Sequence, residues 1–337
     1  MPAGLSSFNV RGPVEFAPGH IILPTGGLWG YVHSSGAAAL SNLPPGMVDA
    51  PLGFYTTVNA ALAATRANRG DYIICLPGHV ETLGVVDAFA NLVAGTTIMG
   101  VGQGTMRPTF HWSVAATTVL LNVANCSLEN LNLNLAGDPT LTTAITGVVG
   151  GSIQVSADGC AIRHCRINTG VDSDQIITVG ILVSAGGDWF TLADNFMAPF
   201  GSADIGITTA DIPTAGTVVR ITGADGVRIE RNVIIASTTT VTDGVLEGLT
   251  TLSSNCVIDD NFFHNNASDS TTAVDFGALV MTGVMRRNLL KVTVDATAQA
   301  TIFTASAHDL SLGTDGDANH TINNVGERGL VLGAASV

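Results

Sequence analysis

The sequence contains few charged residues and hardly any lysine. Aspartate, glutamate, lysine and arginine make up 12% of its 337 residues, and Lys291 is the single lysine among 13 basic residues. The net charge is −14, whereas proteins that bind a phosphate backbone cluster Lys and Arg on one surface. An acidic chain is also repelled by anionic membrane surfaces. We therefore expect neither nucleic acid nor a membrane as a partner.

A long uninterrupted apolar run is also missing. A membrane-spanning helix needs about 18 to 20 apolar residues, but the most apolar window, residues 85–101, is interrupted by Asp87 and Asn91. The first residues lack the basic and apolar regions of a signal peptide. Hydrophobic residues still make up 46% of the chain. We predict that they lie in a core and in subunit contacts, and that the protein forms a homotrimer.

The five cysteines are odd in number, and their spacing matches no zinc-binding pattern. Cys126, Cys160 and Cys256 each stand two residues before an apolar residue of a recurring segment, so on a strand they share its inward face. We interpret them as small, reduced core residues. Residues 315–319 have the D-x-D-x-N spacing of a calcium loop but lack the glycine that should follow. We expect no metal and no cofactor.

One seven-residue pattern recurs six times and predicts the fold. Each copy has an apolar residue, two mostly polar residues, a turn residue and a second apolar stretch, and copies follow one another after 27 to 37 residues. Repeats of this length indicate stacked coils, so we predict an all-β, right-handed parallel β-helix. The copies begin at Ser127, Ala161, Thr191, Arg228, Val257 and Val284.

The turn position of these copies predicts an asparagine ladder. Asparagine tolerates left-handed backbone geometry, and its side chain bonds to nearby backbone groups. The ladder residues are Asn195, Asn232, Asn261 and Asn288. The residue before each asparagine alternates in charge, and coils lie about 4.8 Å apart, so we predict ion pairs between coils. These alternating residues are Asp194, Arg231, Asp260 and Arg287.

The N-terminal part differs from the repeats. A helix is predicted from Thr56 or Thr57 through Asn68, where it would cap the open end of the stack. Residues 1–52 are rich in proline and glycine and lack periodicity, so we predict an extended attachment arm there and the capped β-helix over 53–337. The predicted partner-binding anchors of the arm are Ile22, Leu28 and Trp29.

Several short runs resemble a known superfamily. Residues 58–62, 70–74, 76–79 and 100–102 look like the opening of pectin-lyase-like β-helix proteins, and the six copies resemble the repeat of that superfamily. The whole chain also resembles bacteriophage virion proteins in which a short arm rich in Gly and Pro precedes a charge-poor β-helix. The resemblance implies a non-enzymatic capsid decoration (cement) protein. It also implies assembly in the host cytoplasm, location in the virion, and the major capsid protein or other virion proteins as partners.

An enzyme is the main alternative. A glycosidase needs two carboxylates about 5 to 9.5 Å apart across a sugar cleft, and candidate pairs are Asp259 with Asp260, Asp172 with Asp174, and Asp194 with Asp260. Adjacent strand residues point to opposite faces, and Asp194 and Asp260 already belong to the predicted charge ladder. We therefore predict no enzyme activity. A tailspike-type receptor-binding protein, a polysaccharide lyase or glycoside hydrolase, and a surface adhesin remain as alternatives.

Overall fold

The structure is a computed structural model. It describes residues 27–36, 52–113, 117–135, 152–168, 179–198, 217–236, 244–248, 251–265, 273–276, 281–292, 303–304, 309–311, 319–322 and 328–331. The predicted anchor Ile22, the candidate carboxylates Asp172 and Asp174, and Asp315 of the calcium-like sequence lie outside these residues.

The described strands form three sheets, and one coil contributes one strand to each sheet in turn. Sheet A has the order β2 (Gly53–Tyr55), β1 (Trp29–Val32), β3 (Tyr72–Cys75), β5 (Thr97–Gly100), β8 (Ser127–Glu129), β11 (Ala161–Arg163), β14 (Thr191–Ala193), β17 (Arg228–Glu230), β20 (Ser253–Asp259), β23 (Met281–Arg286), β26 (Asp309–Ser311). Sheet B has the order β4 (Val80–Leu83), β6 (Thr109–Trp112), β9 (Asn132–Asn134), β12 (Arg166–Asn168), β15 (Phe196–Ala198), β18 (Val233–Ala236), β21 (Phe262–Asn265), β24 (Leu289–Val292), β27 (Asn319–Ile322), β28 (Arg328–Val331). Sheet C has the order β7 (Val119–Leu121), β10 (Ile153–Val155), β13 (Val179–Ser184), β16 (Thr217–Thr222), β19 (Leu246–Gly248), β22 (Val274–Asp275), β25 (Phe303–Thr304).

Strand pairing defines the architecture as a parallel β-helix. Every described pair is parallel except the last, β27 with β28, which is antiparallel. The register in sheet A is the one that the repeats predict, so that alignment is confirmed. One column joins the first residues of the six copies: Ser127, Ala161, Thr191, Arg228, Val257 and Val284.

The core lies inside the coils, because alternate residues of each strand point inward. In sheet A one inward column is apolar in every copy and almost fully buried: Leu128, Ile162, Leu192, Ile229, Ile258 and Met285. All five cysteines are free and buried, which confirms their interpretation as reduced core residues. Burying these columns against the facing sheets is the main favourable term that holds successive coils together.

Part of the segment predicted as an arm belongs to the stack. β1 pairs with β3, with Trp29 opposite Tyr72. Leu28 donates its N–H to Asp71 Oδ1 at 3.0 Å, and its carbonyl accepts the N–H of Tyr72 at 2.8 Å. The boundary predicted at residue 52 therefore does not separate an arm from the stack. Leu28 and Trp29, predicted as anchors for a partner, bond to the chain's own sheet through their backbones, and both residues are half-buried.

The helix before β3 is shorter than predicted. Helix α1 (Val58–Leu62) starts after Thr57, whose side chain accepts the N–H of Ala60 at 3.3 Å. Its apolar side chains join the main core. The predicted extension to Asn68 is wrong, since Asn68 itself has a φ of 61°. No helix among the described residues is long and apolar enough to cross a membrane.

Candidate functional site

The turn from sheet A to sheet B has a left-handed residue in six successive coils. Asn was predicted to take this geometry, but the residue before each ladder asparagine takes it instead. The left-handed residue bends the chain from sheet A into sheet B, and the asparagine that follows it is buried, so its amide can bond to the neighbouring coils. The left-handed residues, with φ from 53° to 58°, are Asn130, His164, Asp194, Arg231, Asp260 and Arg287.

The four predicted asparagines stack in a buried ladder. Asn195 Nδ2 donates to Asn232 Oδ1 at 3.0 Å, and Asn232 Nδ2 donates to Asn261 Oδ1 at 3.0 Å. Asn261 Nδ2 donates to Asn288 Oδ1 at 2.9 Å. Each of these acceptor oxygens also accepts the backbone N–H of the asparagine one coil before it. The ladder therefore pairs buried polar groups in one coil with those of the next.

The ladder continues beyond the residues that the sequence indicated. Asn288 Nδ2 donates to Asn319 Oδ1 at 2.8 Å. Asn319 lies 31 residues after Asn288, a spacing within the range of the repeats. The spacing is a signal in the sequence, but His320 and Thr321 break the apolar pattern, so the repeat does not predict Asn319 as a ladder residue.

At the other end of the ladder, a cysteine takes the place of an asparagine. Asn195 Oδ1 accepts the N–H of Cys165 at 2.9 Å. The Sγ of Cys165 faces the carbonyl of Leu128 at 3.7 Å, much as Asn195 Nδ2 donates to the carbonyl of Ile162 at 2.9 Å. Cys165 thus ends the ladder because it has no carbonyl to offer to the coil before it.

Replacing Cys165 with asparagine is expected to stabilise the fold by about 1 kcal/mol, the typical net value of one hydrogen bond. The new carbonyl would stand where the N–H of Leu131 could donate to it. The shift in the chemical denaturation midpoint measures the change. Cys160→Asn is the matched control, because Cys160 is buried outside the ladder and its replacement should be destabilising. Equal losses of stability in Cys165→Asn and Cys160→Asn would contradict the placement of Cys165 at the end of the ladder.

Ion pairs cover the outside of the same turn and join adjacent coils, as predicted. Arg231 bonds Asp194 with two contacts, Nε to Oδ1 and Nη2 to Oδ2, both at 2.8 Å. Arg287 Nε donates to Asp260 Oδ1 at 2.8 Å. Asp259 accepts from Arg286 at 3.2 Å and also from Arg287. The three catalytic candidates that the structure describes, Asp194, Asp259 and Asp260, are therefore all bound by arginines.

The electrostatics of this turn favour the ionised form of Asp194 and Asp260. The hydrogen bond from Arg231 lowers the pKa of Asp194, and the one from Arg287 lowers the pKa of Asp260. A general acid in glycoside cleavage needs the opposite shift, a raised pKa that keeps its proton near neutral pH. The arrangement is thus suited to holding coils in register and not to donating a proton.

Acidification is expected to destabilise the stack through these two aspartates. Their folded pKa values lie below the ordinary aspartate value of about 4. Their contribution is therefore complete above that pH and is lost as the pH falls through the folded pKa values. The thermal midpoint at pH 3 and pH 6 measures the effect. The double variant Asp194→Asn, Asp260→Asn should show a smaller acid-induced drop than the parent chain, and an equal drop would contradict the prediction.

The buried thiols offer no nucleophile at neutral pH. Burial raises the pKa of Cys160 and Cys256 to about 11 and that of Cys165 to about 12. The reactive form of cysteine is the thiolate, so these groups stay protonated. In the part of the chain that the structure describes, no three His, Cys, Asp or Glu residues are grouped so that they could hold a metal ion.

Comparison with known proteins gives no match. No protein-family model, no curated protein and no solved structure matches this chain. The parallel β-helix architecture therefore rests on the chain's own strand pairing.

Proposed function

We propose that the protein is a non-enzymatic structural protein of a bacteriophage virion, which binds the capsid as a decoration protein. The observation that supports a structural role is the arginine pairing of Asp194, Asp259 and Asp260. These bonds use the carboxylates to fasten neighbouring coils. The virion assignment is supported by the sequence resemblance to phage proteins that join a Gly- and Pro-rich segment to a charge-poor β-helix.

The finer features of the proposal follow from general rules. Parallel crossover connections are right-handed in nearly all known cases, and we infer the same hand for these coils. The attachment segment is proposed to be residues 1–26, which include Ile22 and lead into β1. The partner would be the major capsid protein or another virion protein, and the chain would act as a homotrimer.

Cosedimentation with capsids tests the attachment. Full-length protein and a variant that lacks residues 2–26 are mixed with undecorated heads of the phage that encodes the chain. We expect the full-length protein to sediment with the heads and the variant to stay in solution, with equal circular dichroism for both. Ile22→Asp should weaken binding, whereas Val85→Asp, at a residue 60% exposed on the stack, serves as the matched control.

Three results would overturn the proposal. Retained capsid binding by the shortened variant would show that residues 1–26 are not the attachment segment. Depolymerisation of host polysaccharide by the purified protein would show an enzyme. The third result concerns protein that has bound to heads and is then released from them. If light scattering gives this protein the single-chain mass of 34.4 kDa, the proposed trimer is contradicted.

A further inference from the structure

A second recurring turn, from sheet C to sheet A, carries an exposed tryptophan. Trp189 is 60% exposed and has a φ of 58°. The same left-handed position, two residues before the first residue of the aligned copy, is filled in neighbouring coils by Asn125, Gly159, Gly226 and Asn255. Asn and Gly suit this geometry, whereas a bulky residue is disfavoured. Most of the indole is exposed, so the small apolar area that it buries does not offset the backbone strain of this left-handed position.

The next coil leaves room for the indole. A Cβ atom on Gly226 would lie 2.5 Å from Cε3 of Trp189 and 2.8 Å from its Cδ2 and Cζ3. The six-membered ring therefore lies directly against the backbone of Gly226. Any residue with a Cβ at position 226 would crowd the ring in this position. The ring is supported from the next coil and presents the rest of its surface to solvent.

Two aspartates in successive coils are neighbours of Trp189. Asp188 Oδ1 accepts the N–H of Asp225 at 2.8 Å, and Asp225 Oδ1 accepts the N–H of Ser254 at 2.9 Å. The carbonyl of Asp225 accepts the N–H of Trp189 at 2.8 Å. Asp188 is half-buried and Asp225 is exposed. These bonds fix both aspartates next to Trp189, since Asp188 precedes it in the chain and Asp225 accepts its backbone N–H.

The charge at this turn differs from that at the turn between sheets A and B. There each aspartate is bound by an arginine, but among the described residues no ion pair of Asp158, Asp188 or Asp225 with a basic residue is found. Arg228, which is close in sequence, pairs with Glu230 at 3.5 Å. The turn therefore combines an open aromatic surface with negative charge that no basic side chain of the described stack neutralises.

We propose that Trp189, Asp188 and Asp225 form a docking site for an arginine side chain of a partner protein. A guanidinium group is planar and stacks on the indole face, the strongest cation–π acceptor among the side chains. The two carboxylates accept its N–H groups in charge-assisted hydrogen bonds. The site depends only on this turn, so it stands whether or not the chain is a virion protein.

Fluorescence anisotropy with the full-length protein tests the site. The probe is a fluorescein-labelled Gly-Gly-Arg-Gly-Gly peptide at low ionic strength, and the matched probe replaces arginine with citrulline, which has nearly the same shape and no charge. We expect Trp189→Asn to weaken binding of the arginine peptide roughly tenfold. Asp188→Asn with Asp225→Asn should weaken it by a similar factor, and the citrulline peptide should bind roughly tenfold less tightly than the arginine peptide.

The variants separate binding from folding. Asparagine occupies this turn in other coils, so Trp189→Asn should leave the thermal midpoint unchanged or raise it. Asparagine also keeps the Oδ1 acceptors of Asp188 and Asp225. The double variant Asp194→Asn, Asp260→Asn, at the other turn, changes the net charge by the same two units and should leave peptide binding unchanged.

Three outcomes would overturn the proposal. One is equal affinity of the parent and the Trp189→Asn variant for the arginine peptide. Another is equal binding of the citrulline and arginine peptides. The third is Trp189-dependent binding of maltoheptaose without binding of the arginine peptide, which would reassign the surface to a glycan.

Discussion

Replacing Asn261 with alanine is expected to lower the free energy of unfolding by about 3 kcal/mol, since leaving a buried polar group without a partner costs roughly 1–3 kcal/mol. The substitution removes the acceptor of two donors of Asn232, its backbone N–H at 2.9 Å and its Nδ2 at 3.0 Å. It also removes the donor to the carbonyl of Ile229 at 2.8 Å and to Asn288 Oδ1 at 2.9 Å. The loss is large because Asn261 joins a coil on each side.

Chemical denaturation of the parent and variant chains measures this change. Asn122→Ala is the matched control, because Asn122 is exposed and surface substitutions change stability by about 0.5 kcal/mol or less. Asn261→Leu is a second variant that fills the space without restoring any hydrogen bond, and it should remain destabilised. A midpoint for Asn261→Ala that matches the control would show that the ladder does not stabilise the stack.

Replacing Gly283 with alanine is expected to be at least as damaging, with a loss of about 4 kcal/mol. Gly283 has a φ of 132° and stands opposite Cys256, where the register of β20 and β23 shifts. A Cβ there would lie 2.0 Å from the carbonyl oxygen and 2.6 Å from the backbone nitrogen of Cys256. Backbone strain of this kind costs roughly 1–3 kcal/mol, and forcing an extra carbon into a packed site costs a further 1–3 kcal/mol or so.

A second glycine separates strain from crowding. Gly104 has a φ of 57°, and a Cβ built on it would have no neighbour within 4 Å. Gly104→Ala should therefore cost only about 1–2 kcal/mol, the penalty for a left-handed alanine. Equal losses for Gly104→Ala and Gly283→Ala would show that the strands relax around the added carbon, in contradiction to a rigid contact at Cys256.

Much of the stack could be predicted because each coil repeats the same local requirements. The alternation of apolar and polar residues records which side chains face inward, and a one-residue slip would expose a whole apolar column. Aligning copies such as those at Ser127 and Val257 therefore also aligns the strands. For the same reason the inward column of asparagines could be identified.

Other features could not be predicted because they depend on groups far apart in the chain. The side chain at Asn232 is suited to a left-handed turn, yet Arg231 takes that geometry, since the amide is needed inside for bonds to neighbouring coils. The residue type alone does not show whether an asparagine takes the left-handed turn position or points inward as part of the ladder. Asn319 joins the ladder only through contact with Asn288, and the residues after it do not repeat the pattern.

The amino-acid sequence thus determines the repeated coil, its register and its inward columns, because these follow from side-chain periodicity within a few residues. Tertiary structure decides that β1, a four-residue strand without a repeated pattern, lies between β2 and β3. It also decides that Leu28 bonds to Asp71 and that Trp189 lies against Gly226. These contacts join segments that are separated by tens of residues. Their free energy depends on backbone groups, and on space beside a glycine, that become neighbours only when the coils have folded.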